Sequence, residues 1–410
     1  MKVLLVDVSS RLGGVGGAQR VAANLFRELP KRGIETFYMG YRTEYLKNAR
    51  NALFLRESRQ KGLKSGIEGH GLNRLVDSRL MRVAYYSSYS AIGINTAEMR
   101  EYVERVRPDI VLASSIQDYI VLKALRRHLG SAKLLYIEHA NASGAYKGSL
   151  DYNIIHLTFG TGVFMPIRRA QRRFFRFFDG VIALNAQQYR SVRVFNRNVT
   201  VIHSSSLMDS TTVNARRLEA LRSKLGIRKS DNVVLYLGRL VEAQKNVGTL
   251  IRAFTGMKGD KLRLLIVGDG RSRPEYEAMA AHDSRIRLTG RVPERTLAYY
   301  YSLADLYVLP SVWESFNATF IEAATMGLPL LLSRKAINED IERLFGKRLY
   351  TFEPSDVADL KAKIERFFSN WELRRRLIAL SGRIADEYSR EKQMDAYAAA
   401  LKKFNSTGSF

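Results

Sequence analysis

The spacing of apolar runs is the strongest constraint on this chain. Short, β-branched segments recur along it, each separated from the next by enough residues for an amphipathic helix. In the first half they are Met1–Val8 (MKVLLVDV), Asp109–Ala113, Lys133–Ile137, Gly180–Leu184 and Val199–Ile202. A second series begins at Asn232–Leu237 and continues with Leu262–Val267, Ile286–Leu288, Leu306–Leu309 and Leu328–Leu332. Runs this short and apolar are buried on both faces, which calls for a parallel sheet with helices above and below. The expected fold is α/β, with two Rossmann-like doubly wound domains facing a central cleft. The polar stretch Ser204–Thr212 marks their junction, which places the domains at 1–205 and 206–385. A helical pattern at Asp386–Phe404 follows the second series and sets 386–410 apart as a last segment. Sheets of this kind bind ligands beyond the carboxyl ends of their strands.

Composition removes several function classes. The 410 residues include no cysteine, so disulfides, thiolate zinc sites and thiol catalysis are excluded. The six histidines show no metal-ligand spacing, and no metal or other cofactor is expected. No apolar run approaches the roughly 18 residues that span a bilayer. Met1–Val8 is too short for a signal-peptide core and leads into a glycine-rich turn, so a cytoplasmic protein is expected. The formal charge is +26, and residues 1–200 carry 32 basic against 15 acidic side chains. Such a chain attracts polyanions: nucleic acid, an anionic membrane face or phosphorylated substrates.

Three segments at strand ends could carry chemistry. Gly13–Arg20 (GGVGGAQR) follows the first run and opens a helix. Its glycines let backbone N–H groups approach a phosphate at a helix N-terminus, although a tight strand-to-helix turn accounts for it equally well. Its spacing is neither G-x-G-x-x-G nor a Walker P-loop. Gly238–Asn246 (GRLVEAQKN) follows the first run of the second half. There Arg239 and Lys245 could hold a diphosphate and offset charge growing on a leaving nucleotide, or could belong to a solvated loop. Glu314–Glu322 (ESFNATFIE) lies between a run ending at Pro310 and a helix ending near Gly327. The N–H groups of Ser315, Phe316 and Asn317 would open that helix toward a phosphate, while the two carboxylates suit sugar or ribose hydroxyls.

With YIEHAN (136–141), VGDG (267–270), GRVP (290–293) and WESFNATFIEAATMGLP (313–329), these segments resemble the retaining glycosyltransferases of family 4, a GT-B group. The order is the family's, and the resemblance covers nearly the whole chain. It implies an acceptor-binding first domain and a second domain that binds a nucleotide-sugar donor. Arg239 and Lys245 would hold the donor diphosphate and Glu322 the ribose. Glu314 would lie by the donor sugar with the amides of Phe316 and Asn317, beside Ser315. Gly268 would line the donor site, and backbone near Arg291 and Val292 would meet the base. Gly16 and Gly17 would approach phosphate and sugar, and His139 would face the sugar from the acceptor side. The implied catalytic set is Glu314, His139, Arg239 and Lys245, with no metal. The final helix would return to the first domain. The chain departs from the family in reading Val201–Leu207 where P-N-G is common, and in having Gln19 where an acidic residue is usual after GGA.

Phe164–Phe178 (FMPIRRAQRRFFRFF) is the most biased segment. On a helical projection Arg168, Arg169, Arg172, Arg173 and Arg176 fall within roughly 0–140°, with the phenylalanines opposite. This is the pattern of an element on an anionic membrane, or of a helix whose phenylalanines face the core. The expectation is a hexosyltransferase, peripheral on the inner membrane face, with a UDP-sugar as favoured donor and a lipid-linked or surface-polysaccharide glycan as acceptor. The alternatives are a soluble-acceptor enzyme, or a non-catalytic polyanion or nucleic-acid binder on the same fold. No nucleic-acid-binding signature accompanies the basic clusters, so nucleic acid is not expected as a partner.

Overall fold

Each series of apolar runs forms one parallel sheet. A computed structural model of the chain describes residues 1–8, 17–41, 46, 50–55, 96–139, 167–206, 208, 213–314 and 316–410. It divides into a first unit, Met1–Ile202 with Met394–Phe410, and a second unit, His203–Gln393.

In the first unit the described elements are β1 (Lys2–Asp7), α1 (Gly17–Glu28), β2 (Glu35–Gly40), β3 (Ala52–Phe54), α2 (Thr96–Val106), β4 (Ile110–Ala113), α3 (Ile116–Leu125), β5 (Lys133–Ile137), α4 (Ile167–Phe177), β6 (Gly180–Ala183), α5 (Ala186–Arg193) and β7 (Val199–Val201). The sheet order is β3-β2-β1-β4-β5-β6-β7. The chain reverses direction across the sheet between β1 and β4, and there Asp118 knits the strand ends together. Its carboxylate accepts from the N–H groups of Val8 (2.9 Å), Ser114 (2.9 Å) and Ser115 (2.8 Å). Burial first, and the nearby Asp7 carboxylate second, push its pKa up to about 7 against those donors.

The second unit contains α6 (Ala215–Lys224), β8 (Asn232–Leu237), α7 (Glu242–Lys245), α8 (Val247–Thr255), β9 (Leu262–Val267), α9 (Arg273–Ala280), β10 (Ile286–Leu288), α10 (Leu297–Leu303), β11 (Leu306–Leu309), α11 (Ala318–Thr325), β12 (Leu330–Ser333), α12 (Glu339–Phe345), β13 (Thr351–Phe352), α13 (Val357–Ser369) and α14 (Trp371–Glu387). The order β10-β9-β8-β11-β12-β13 puts the reversal between β8 and β11. Five of the six residues of β8 and of β9 are buried, as expected of strands covered by helices on both sides.

The last helix, α15 (Arg390–Thr407), ends in the first unit. Lys133 donates to the carbonyls of Phe404 (2.9 Å) and Asn405 (2.7 Å), serving groups that a helix end leaves unsatisfied. Phe404 fills the space over Gly180, where a Cβ would lie 2.6 Å from its ring.

Two sequence expectations are corrected. The pattern at Asp386–Phe404 is not one helix, because Asp386 and Glu387 end α14 and Tyr388 caps it. Ser389 Oγ then accepts the Lys392 N–H (3.4 Å) to start α15. Apolar periodicity runs through the break and hides it. Second, the polar stretch read as the junction at Ser204–Thr212 begins with three serines, 204–206, packed inside the second unit. All three serines are buried, and Ser205 Oγ donates to Gln393 (2.7 Å), whose amide donates to the His203 carbonyl (2.8 Å). The units divide at 202/203 and 393/394, where the sequence put 205/206 and 385/386.

Gly268, at the exit of β9, has φ 144°, and a Cβ there would lie 1.8 Å from the Gly238 carbonyl. Gly268→Ala is expected to cost about 2–4 kcal/mol, from backbone strain plus displacement of the β8 exit. Urea unfolding of the full chain would show this, and an unchanged midpoint would refute the close approach.

Candidate active site

The reversal of the second sheet brings two loops together. β8 delivers Arg239 and the short helix α7 with Lys245, and β11 delivers residues 310–314 and, beyond them, 316 and 317. Backbone and side chain tie the loops: Val312 N–H donates to the Gln244 carbonyl (2.9 Å), and Asn246 Nδ2 donates to that of Pro310 (3.3 Å). Asn246 sits at φ 50°, a left-handed conformation that asparagine tolerates better than most residues. There it ends α7 and begins α8.

At the centre of this junction Lys245 Nζ meets Glu314 Oε1 at 2.5 Å, with both side chains almost fully buried. Asn317 Nδ2 donates to the same carboxylate oxygen (3.1 Å). Asn317 is also the N-cap of α11, its Oδ1 accepting from Thr319 N–H (2.8 Å) and Thr319 Oγ1 (2.6 Å). The helix therefore opens at Ala318, later than the sequence suggested, with Asn317 extended and capping it through its side-chain oxygen. Arg239 is exposed, its guanidinium 3.4 Å from Gln244 Oε1.

Buried tyrosines support these loops from below. Tyr236 donates to the Arg239 carbonyl (2.8 Å), and Tyr307 bonds Thr319 Oγ1 (2.6 Å). Tyr276 donates to Glu242 (2.5 Å), which also accepts the Gly248 N–H (3.1 Å). Burial raises the pKa of all three phenols, so they stay protonated and able to donate. Sequence reasoning missed Tyr236, Tyr276, Tyr307 and Glu242. The available signal was a tyrosine inside two otherwise aliphatic strands, where a buried hydroxyl needs a partner.

The remaining expected residues divide clearly. Glu322 is fully buried in α11, where it accepts from Tyr301 OH (2.9 Å). Gly268 forms an isolated bridge with Gly290, which places exposed Arg291 and half-buried Val292 just beyond. Phe316 stacks on His203 (5.9 Å between centroids) and meets Tyr388 edge-on (5.4 Å). Gly17 begins α1, while Gly16 and Ser315 lie outside the described residues.

His139 belongs to the first unit, just after β5, where the Glu138 carbonyl accepts from Gln188 (3.1 Å). Its Nε2 is shielded from water without a hydrogen-bond partner among the described residues. Burial lowers its pKa to about 4. On α4, Arg168, Arg169, Arg172, Arg173 and Arg176 are all exposed, while Phe174, Phe175 and Phe178 are buried. The core takes those three rings, so the helix does not offer them to a bilayer. No group of three or more His, Asp or Glu side chains is arranged to hold a metal among the described residues. None of the described helices is long and apolar enough to cross a membrane.

Comparison with known proteins matches residues 15–205 to the profile "Glycosyltransferase Family 4" and residues 218–381 to "Glycosyl transferases group 1". An alpha-monoglucosyldiacylglycerol synthase of Acholeplasma laidlawii is 28% identical over 129 residues, 30% of this chain and 32% of the relative. An alpha-D-kanosaminyltransferase of Streptomyces kanamyceticus is 31% identical over 180 residues, 42% of this chain and 45% of the relative. The matches thus span about a third to under half of these relatives' length. Anabaena HepE, solved in complex with UDP and glucose, superposes with a TM-score of 0.70 at 16% identity, covering 98% of this chain and 100% of that one. At that identity the likeness establishes the fold, GT-B.

Breaking a buried ion pair leaves one charge uncompensated, at a cost of about 3–5 kcal/mol. Lys245→Met and Glu314→Gln should each destabilise by about that amount, and the double variant by less than their sum. A double-mutant cycle in urea checks this, and strict additivity would refute the coupling. His139 has a folded pKa below its unfolded value near 6.5, so the unfolded chain binds more protons between pH 4 and 6.5. The His139 contribution to stability should be complete above pH 6.5 and be lost by about 2–3 kcal/mol on approaching pH 4, opposed over the same range by Asp118, whose pKa raised to about 7 favours the folded chain at low pH. The difference between the wild-type and His139→Gln stability curves should show that loss alone; a difference independent of pH would refute it.

Proposed function

The chain is a glycosyltransferase of family 4, and from that membership we propose that it is a retaining hexosyltransferase. Its donor is a nucleotide-sugar, a UDP-sugar by preference, and its acceptor a lipid-linked or surface-polysaccharide glycan at the cytoplasmic face of the membrane. The observation that carries this reading is the convergence of Arg239, Lys245, Glu314 and Asn317 where the second sheet reverses, the place at which such sheets take ligands.

In the proposed reaction the bond between the sugar C1 and the diphosphate oxygen breaks, and a bond from the acceptor oxygen forms on the same face. The acceptor's proton passes to the departing diphosphate, so no side-chain base is required. Negative charge grows on the diphosphate as the bond breaks, and two preorganised cations lower the cost of that growth. Arg239 is already exposed at the strand exit. Lys245 is held by Glu314, and a diphosphate competes with that carboxylate for the ammonium. As Lys245 turns to phosphate, Glu314 gains capacity to accept hydrogen bonds from sugar hydroxyls while Asn317 keeps it in place. With two cations in this role, we propose that transfer needs no metal.

The name of the Acholeplasma relative speaks of a glycolipid product, which supports a lipid acceptor here. The five arginines of α4 support an anionic surface as partner, by charge alone because the core holds Phe174, Phe175 and Phe178.

The test is a thermal-shift panel of UDP, GDP, ADP and their sugars, with and without EDTA, on wild type and Arg239→Ala. One nucleotide class, UDP by expectation, should stabilise the wild type by about 2.7 kcal/mol at a hundredfold excess over Kd. The shift should survive EDTA and shrink in Arg239→Ala. No shift with any nucleotide would sink the donor site, and a shift abolished by EDTA would sink metal independence.

A further inference from the structure

Helix α14 carries apolar side chains on two opposite faces. Leu373, Leu377, Leu380 and Ile384 are buried, and Ser381 Oγ donates to the Leu328 carbonyl (2.6 Å) just beyond α11. That stripe satisfies the helix's need for a core. On the other side Trp371 is 63% exposed and Ile378 51% exposed. They are seven residues apart, two helical turns, and so share one face. The core does not use a tryptophan there, and with Val194 these are the exposed large apolar side chains among the described residues.

The surroundings are basic. The Arg375 guanidinium lies over the Trp371 ring (5.0 Å), and Arg374 lies over Phe367 and Phe368 (5.4 and 5.9 Å). From Lys361 to Arg383 there are seven basic side chains and two acidic ones. Two apolar side chains are too few for the dry centre of a protein interface, which buries on the order of 800 Å² per partner. Two-fold pairing with a second copy would set arginine against arginine. A tryptophan among arginines does match an anionic bilayer surface, where its ring sits at the headgroup level and guanidinium groups meet phosphates.

We propose that this face of α14 is a lipid-contact surface that seats the second unit on an anionic membrane. Trp371 and Ile378 enter the interfacial layer and exposed Arg375 pairs with lipid phosphates, while half-buried Arg374 is held by Asp305 (3.8 Å). The inner face of α14 packs on α11, whose N-cap Asn317 holds Glu314, so the lipid contact and the donor site share one packed helix pair. The proposal rests on the reading of the enzyme as working at an anionic membrane.

Trp313 and Trp371 are the two tryptophans of the chain, so Trp313→Phe leaves Trp371 as its fluorescent probe. With phosphatidylglycerol vesicles its emission should shift to the blue and be quenched by brominated acyl chains; with pure phosphatidylcholine it should not. Trp371→Ser/Ile378→Ser should weaken co-sedimentation of the full chain with the anionic vesicles about tenfold. Replacing the five α4 arginines with glutamine should also weaken sedimentation, while the bound fraction keeps the Trp371 shift. Wild type that sediments with neither vesicle overturns both this proposal and the membrane reading. Wild type that sediments while Trp371 neither shifts nor matters overturns this proposal and leaves the α4 reading standing. A blue shift that grows with protein concentration without lipid overturns it in favour of a second copy.

Discussion

Lys245 and Glu314 lie 69 positions apart in sequence and meet with their charges almost withdrawn from water. Moving either charge out of water alone would cost several kcal/mol, and their attraction offsets that only when the remaining donors and acceptors are satisfied. Asn317 supplies one of those bonds, and its own oxygen is committed to the first turn of α11. The pair therefore fixes more than two side chains. It requires the β8 and β11 exits to run side by side, the Gln244 carbonyl to receive Val312, and Asn246 to hold its left-handed turn. A loop with this many mutual dependencies has few ways to relax, which suits a site that must present cations in a set geometry.

The tyrosines beneath the loops follow from the same demand. A strand exit at the reversal of a parallel sheet leaves carbonyls that no neighbouring strand can serve. Tyr236 reaches that of Arg239 from within its own strand, and Tyr307 donates to Thr319 Oγ1 in the first turn of α11. Each buries a large ring in the core while its hydroxyl serves the loop, so packing and loop geometry are coupled. The cavity left by a tyrosine-to-alanine change would disturb both, whereas a phenylalanine would disturb only the loop.

These relations explain what was legible in the sequence. β8, β9 and β11 could be bounded from their apolar runs because both of their faces are buried, whereas β10, at the sheet edge with Arg287 exposed, showed only through Ile286 and Leu288. β2 (ETFYMG) escaped because it opens on an exposed glutamate, and β3 because it is three half-buried residues long. Arg239, Lys245, Glu314 and Asn317 could be picked out by residue type and position after a strand. That Lys245 bonds Glu314, and that Asn317 caps its helix, depends on sheet order, which no local pattern carries. The burial of Glu322 against Tyr301 is likewise a tertiary fact. Conversely, the arginines of 374–376 read as an ordinary solvated helix face, and only the exposure of Trp371 and Ile378 sets that face apart.

The charge excess bears on both arginine-rich helices. A net charge of +26 works against a compact state through self-repulsion, and isolated surface ion pairs return little. An anionic partner would offset that excess, and under the proposed membrane reading the two helices would meet it differently. In α4 the core takes the rings of Phe174, Phe175 and Phe178, so an anionic surface meets five arginines and little else. Attraction of that kind acts at a distance, speeds encounter and fades with salt. In α14 the core is satisfied by leucine and isoleucine on the inner face, and the outer face keeps a tryptophan and an isoleucine beside its arginines. Apolar contact of that kind is short-ranged and resists salt. On the proposed reading, the first arrangement would gather the protein at a membrane and the second would hold it there while donor and acceptor exchange.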